Sequence, residues 1–172
     1  MKYLIVNTIP KNNKQITEVE KELSEKFSDV EVINTEELNI HGCIGCNNCW
    51  LKTPGICGIK DDYEKIFIKF LQVDRVVFLT ETKLGFVTYQ TKNLFDRILP
   101  MLTMNLKAKN GQLRHYRRYK KHLDIGMLYA GEANNEFLGR WLKRTAANIY
   151  SKSLGVYPMN SREELYYALN NH

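Results

Sequence analysis

Four cysteines lie within fifteen residues, Cys43-Ile-Gly-Cys46-Asn-Asn-Cys49 and then Cys57, and the 172-residue chain has no others. The spacing C-x2-C-x2-C-x7-C lets one short segment turn several thiols toward a common centre. Thiolates held that close repel one another unless a cation neutralises them or they oxidise, so the pattern implies metal or redox chemistry. Short x2 spacers suit adjacent corners of one iron–sulfur cluster. Cys57 is not followed by proline and sits behind a long spacer, which fits a single cluster better than a pair. Zinc is an alternative, although its usual ligands are two C-x2-C pairs set well apart. Redox-active thiols and a set that binds nothing stable are the others. Disulfides fit poorly, because no signal-peptide pattern opens the chain and a reducing cytoplasm is the expected compartment.

The segments that must position these thiols alternate in hydrophobic period. Tyr3-Leu4-Ile5-Val6 is a short apolar run, as expected of a strand buried on both faces. Ile16, Val19, Leu23 and Phe27 recur at helical spacing, and Val30 to Ile33 reads as a second strand with the cysteine segment (41–60) after it. Tyr63, Ile66, Phe67, Phe70 and Leu71 mark the clearest amphipathic helix, with Asp61 and Asp62 at its positive end. Val76–Leu79 is a third strand. A helix carrying Leu94, Phe95, Ile98, Leu99 and Leu102 follows, with Thr88 as its N-cap and a bend at Pro100. Leu123–Tyr129 is a fourth strand, and the helix through Phe137, Trp141 and Ile149 is expected to end near Gly155. Val156-Tyr157 is a fifth strand, and Ser161-Arg162-Glu163-Glu164 looks like a capping box for a last helix. The order βαβαβαβαβα predicts an α/β fold, a parallel sheet with helices on both faces that binds ligands at the carboxyl ends of its strands. With 44% hydrophobic residues, one good core and a single domain over 1–172 are expected. No apolar run approaches the length of a membrane span.

Two blocks carry a family resemblance. The first is the compact cysteine run followed by Cys57-Gly-Ile-Lys-Asp61-Asp62. The second is the series Thr80, Gly85, Thr88, Lys92, Asp96 and Arg97. Together they resemble the flavodoxin-like NADPH-dependent FMN reductase family, and within it the iron–sulfur flavoproteins. The resemblance implies a three-layer flavodoxin-like fold with a five-stranded parallel sheet and FMN over the strand ends. The FMN phosphate would fall near Thr8, Asn12, Lys14 and Gln15. Its ring would fall near Thr80, Thr82, Lys83, Gly85 and Phe86, with Tyr129 and Gly131 on a third loop. A [4Fe–4S] cluster would be held by Cys43, Cys46, Cys49 and Cys57. The activity implied is electron transfer linked to NAD(P)H or a ferredoxin, in a homo-oligomer. This chain departs from the family pattern where Glu81 and Lys83 replace a proline and an aromatic residue, and where the first loop lacks glycine. A non-enzymatic flavodoxin-like binding or assembly module is therefore the rival reading.

Charge is concentrated in one place. Residues 107–121 hold Lys107, Lys109, Arg114, Arg117, Arg118, Lys120 and Lys121 and no acid, so a chain of net charge +6 is close to neutral elsewhere. Such an insert suits a solvated or subunit-contacting face, NAD(P)H, or an acidic electron carrier. It has no recognition-helix or single-strand signature, so nucleic acid is disfavoured. Asn110-Gly111 is a turn signal within it. No Ser-His-Asp set, paired acids or Walker loop points to hydrolysis or group transfer.

Overall fold

The computed structural model describes residues 1–109 and 111–171. The apolar runs become the strands β1 (Tyr3–Asn7), β2 (Val30–Asn34), β3 (Arg75–Lys83), β7 (Asp124–Ala130) and β8 (Ser153–Pro158). All five run parallel, in the order β2-β1-β3-β7-β8. One face is covered by α1 (Lys14–Lys26) and α6 (Arg162–Asn171), through Ile16, Val19, Leu23, Leu165 and Leu169. The other is covered by α3 (Tyr63–Gln72), α4 (Tyr89–Asp96) and α5 (Asn135–Asn148), through Ile66, Phe70, Leu94, Phe95, Leu138 and Leu142. The two cores on either side of a buried parallel sheet are what the continuous apolar strands require.

The sheet has six strands rather than the expected five. β3 extends past Leu79 to Lys83 and doubles back through Leu84 and Gly85 into the two-residue strand β4 (Phe86–Val87), antiparallel to it. Both turn residues have positive φ, 52° and 76°. That is the conformation a two-residue hairpin loop needs, and Leu84 adopts it at a steric cost that glycine would avoid. The third expected helix is also shorter than its apolar spacing suggested. α4 ends at Asp96, and Leu99–Met101 is a single tight turn containing Pro100. Pro100 has no N–H to offer the Asp96 carbonyl four residues back and its ring crowds that group, which stops the helix, and the extended backbone of Leu102 then begins a strand.

The basic insert forms an antiparallel hairpin of β5 (Leu102–Lys109) and β6 (Gln112–Arg117), separate from the main sheet. Gly111 has φ +72°, as the turn signal requires, while Asn110 lies outside the described residues. Gly155 falls inside β8 rather than after α5. Its φ of +101° coincides with the register shift between Ile125 and Gly126. Among the described residues, no helix is long and apolar enough to cross a membrane.

Candidate functional site

Three loops meet at the carboxyl edge of the sheet. The first follows β1, where the Thr8 hydroxyl bonds the Leu79 carbonyl at 2.9 Å and the Thr91 hydroxyl at 2.7 Å. Thr91, on α4, also meets the Thr80 hydroxyl at 2.7 Å. These three threonines are buried and lock the first loop to the start of α4. Thr8 and Thr80 are thus committed to each other through Thr91, a residue whose role left no signal in the sequence. The second and third loops are tied by Thr82, which donates to the Ala130 carbonyl at 3.1 Å, and by a bridge between Gly85 and Ala133. Gly131 has φ +102°, and a Cβ there would lie 2.7 Å from the Thr82 hydroxyl. Gly85 faces open space instead, with nothing within 4 Å of the position of a Cβ.

Other expected site residues are divided between surface and core. Asn12, Lys14, Gln15 and Lys83 are exposed, whereas Tyr129 is buried. Phe86 turns toward α5, its ring 5.0 Å from Trp141 and 6.0 Å from Phe137. Thr88 takes the extended N-cap backbone but makes no side-chain capping bond. Its hydroxyl is buried and has no partner among the described residues. Buried hydroxyls are normally paired, so Thr88 is an exception within this layer.

The first loop also shows what a phosphate would meet. Asn13 caps α1 by accepting the Gln15 amide, and the first turn carries no acid. The amides of Asn12 and Lys14 have no partner among the described residues, so the positive helix end is open to an anion. The Lys11 amide is taken by the Glu36 carboxylate at 2.9 Å, and the Lys11 ammonium by Glu37 at 2.6 Å. Beside them lies a cleft of about 330 Å³ whose lining includes Thr8, Pro10, Thr35, Glu36, Tyr89 and Asn93. Glu36 and Glu37 were not among the expected site residues, because nothing local in the sequence links them to a loop 25 residues away.

The cysteine segment lies along α4. A Cβ on Gly42 would meet the Asn93 side chain at 3.2 Å. The short helix α2 (Asn48–Leu51) carries Trp50, whose indole N–H donates to the Leu99 carbonyl at 3.0 Å. The main anchor is Arg97, the C-cap of α4, which is 1% exposed. It donates to the His41 carbonyl at 3.0 Å, the Ile59 carbonyl at 3.3 Å, the Cys57 sulfur at 3.4 Å and the Asp61 carboxylate. Asp61 stands at the start of α3 as expected, with Oδ1 accepting the Tyr63 amide at 3.2 Å, and its other oxygen pairs with Arg97. Asp96 pairs with Lys92 one turn back. Burial alone would raise the Asp61 carboxyl, but bonds from Arg97 and the His41 amide outweigh it and hold the group below its usual range.

All four cysteines are free, with Cys43 and Cys46 exposed and Cys49 and Cys57 half-buried. The Cys49 thiol is pushed up first by burial, then by the charges of Cys57, Cys43 and Cys46. Among the described residues, no three His, Cys, Asp or Glu side chains stand together as a ready-made metal site. In kind and number the donors match those that hold an iron–sulfur cluster.

Three loops at the carboxyl edge of a parallel sheet ordered β2-β1-β3-β7-β8 define a flavodoxin-like α/β protein. Among solved structures, NAD(P)H:quinone oxidoreductase from Methanothermobacter marburgensis superposes with a TM-score of 0.63 over 99% of this chain and 96% of its own, at 12% identity. In sequence, the chain is similar to an iron–sulfur flavoprotein of Archaeoglobus fulgidus, with 35% identity over 113 residues, 64% of this chain and 55% of that protein. It is also similar to one from Methanocaldococcus jannaschii, with 32% identity over 90 residues, 52% of this chain and 46% of that protein. The chain spans about half the length of these relatives. No protein-family model matches it.

Proposed function

We propose that the protein is an FMN-dependent electron-transfer oxidoreductase that takes electrons from NAD(P)H or an acidic carrier, with a [4Fe–4S] cluster on Cys43, Cys46, Cys49 and Cys57. The observation that carries this reading is the joining of two elements on α4. Its first turns border the flavin-type cleft, and its C-cap grips the cysteine segment. Thr91 and Arg97 stand six positions apart, or about 9 Å of helix. The names of the sequence relatives and of the structural neighbour support the same class of chemistry.

Bound FMN would supply the exchange between a two-electron donor and one-electron acceptors. The chain's residues would bind and orient it. The amides of Asn12 and Lys14 and the start of α1 would take the phosphate, with Lys14 adding charge. The β3–β4 hairpin and the Tyr129–Ala133 loop, linked through Thr82, would hold the ring edge. Lys83, exposed at the end of β3, would favour negative charge on a reduced ring. Exposed Leu106 and Leu113 on the basic hairpin suit a subunit contact in a homo-oligomer.

The bonds of Glu36 and Glu37 to Lys11 favour the second reading, a binding module whose flavin site is closed by its own acids. Titration with FMN, followed by anaerobic addition of NADPH, separates the two. Saturable quenching of flavin fluorescence and bleaching of the bound flavin by NADPH is the expected result. Absence of FMN binding at millimolar concentration would favour the module.

A further inference from the structure

Arg97 has a geometry that anchoring a loop does not require. Two carbonyls, His41 and Ile59, already tie the cysteine segment to it. Its remaining bonds join a sulfur on one side to a buried carboxylate on the other: Nη2 lies 3.4 Å from Cys57 Sγ, and Nη1 pairs with Asp61. Both side chains are 1% exposed, so neither charge is screened by solvent. The Tyr63 ring lies 4.4 Å from the guanidinium carbon, and Nε has no partner among the described residues. Among the contacts of the pair, the guanidinium reaches the sulfur and the carboxylate does not. The pair therefore presents its positive end to Cys57.

A cation and an N–H donor at a ligand sulfur stabilise the electron-richer state of an iron–sulfur cluster. We infer that Arg97 raises the reduction potential of a cluster ligated through Cys57, and that Asp61 moderates that effect by offsetting part of its charge. The inference rests on the cluster reading above. Arg97 acts as a positioning and tuning residue through Cys57. On reduction one electron enters the cluster from the donor, no thiolate–iron bond breaks, and neither Arg97 nor Asp61 exchanges a proton.

The test is a dithionite titration with redox mediators on anaerobically reconstituted protein, read by the electron paramagnetic resonance of the reduced cluster. Arg97→Gln should shift the midpoint negative and Asp61→Asn should shift it positive. Each shift should be at least about tenfold in the reduction equilibrium, about 59 mV for a one-electron couple. Arg97→Lys, which keeps the charge, should fall between Arg97→Gln and wild type. Loosening of the loop alone would move both substitutions the same way. Shifts of one sign, or unmoved potentials in variants with filled clusters, would overturn the inference while leaving the cluster reading intact. Wild type that takes up neither iron nor sulfide would overturn both. If Arg97→Gln fails to assemble, Asp61→Asn decides: a positive shift supports the inference, and its absence overturns it.

Discussion

Cys57 differs from the other three thiols in having a buried guanidinium against it, while Cys43 and Cys46 are exposed and cost little to rearrange. Replacing Cys46 with serine should therefore spare the fold. It should abolish broad absorbance near ~400 nm from thiolate-bound iron–sulfur and leave FMN binding unchanged, which absorption spectra and a parallel flavin titration would check. Loss of FMN in the same variant would mean that the cysteine segment shapes the flavin site directly. The thiols were legible in the sequence because their spacing is local. The Asp61–Arg97 bond was not, because it joins residues 36 apart and depends on how α4 ends. Thr91 was equally hidden, since a threonine inside a helix is ordinary until two other hydroxyls are placed against it. Glu36 illustrates the same limit and leads to its own prediction. Glu36→Gln should keep the fold and tighten FMN by several-fold, because a neutral amide competes less well for the Lys11 amide. Riboflavin, which lacks the phosphate, should bind both forms alike. Equal gains for FMN and riboflavin in fluorescence titrations would show that Glu36 does not contest the phosphate.

At the scale of elements, the strands and most helices followed from period, whereas the excursions from them did not. The β3–β4 hairpin was invisible because Leu84 is a poor residue for a position with positive φ, and sequence signals for such turns rest on glycine and asparagine. Leu84→Gly should stabilise the protein by about 0.5–1 kcal/mol, measurable by urea unfolding. No gain would mean that the Leu84 side chain contributes in a way its full exposure does not suggest. The basic insert was legible as charge but not as a hairpin, and the hairpin changes which charges are available. Arg114 donates to the Ala147 carbonyl, and Arg118 to the carbonyls of Pro100 and Leu102, so these two serve the structure. Lys109, Arg117 and Lys120 are exposed. Reversing those three to glutamate should raise the apparent KM for NADPH or an acidic carrier at low salt. The difference should shrink as ionic strength rises, because exposed charges are screened over ~8 Å at physiological salt. Unchanged kinetics at low salt would leave the hairpin as a solvated or subunit-contacting face.

At the scale of the whole molecule, α1 and α6 are joined by an ion pair that spans 140 residues of sequence. Arg162 meets Glu22 through two bonds of 2.7 Å, and the Tyr166 hydroxyl adds a third at 3.0 Å. Arg162 holds the Glu22 carboxyl down to about 2, below its ordinary 4.5. A carboxyl lowered by folding adds stability above its unfolded value, and that stability is lost as pH falls through the folded one. Glu22→Gln should thus cost about 1–2 kcal/mol near neutral pH, and the cost should fade between pH 4.5 and about 2. Thermal melts of both forms across that range check it, and a pH-independent difference would assign the loss to packing. The layered sheet was legible because each buried strand announces itself as an apolar run. The side-to-side ties were not, because residues so far apart leave no shared period. Joining a flavin-type cleft to the cysteine segment through α4 is the central feature of the molecule. The most direct test is anaerobic reconstitution with FMN, ferrous iron and sulfide, followed by analysis of the gel-filtered protein. About one FMN and about four irons per chain are expected, and a colourless protein retaining neither flavin nor iron would contradict the account.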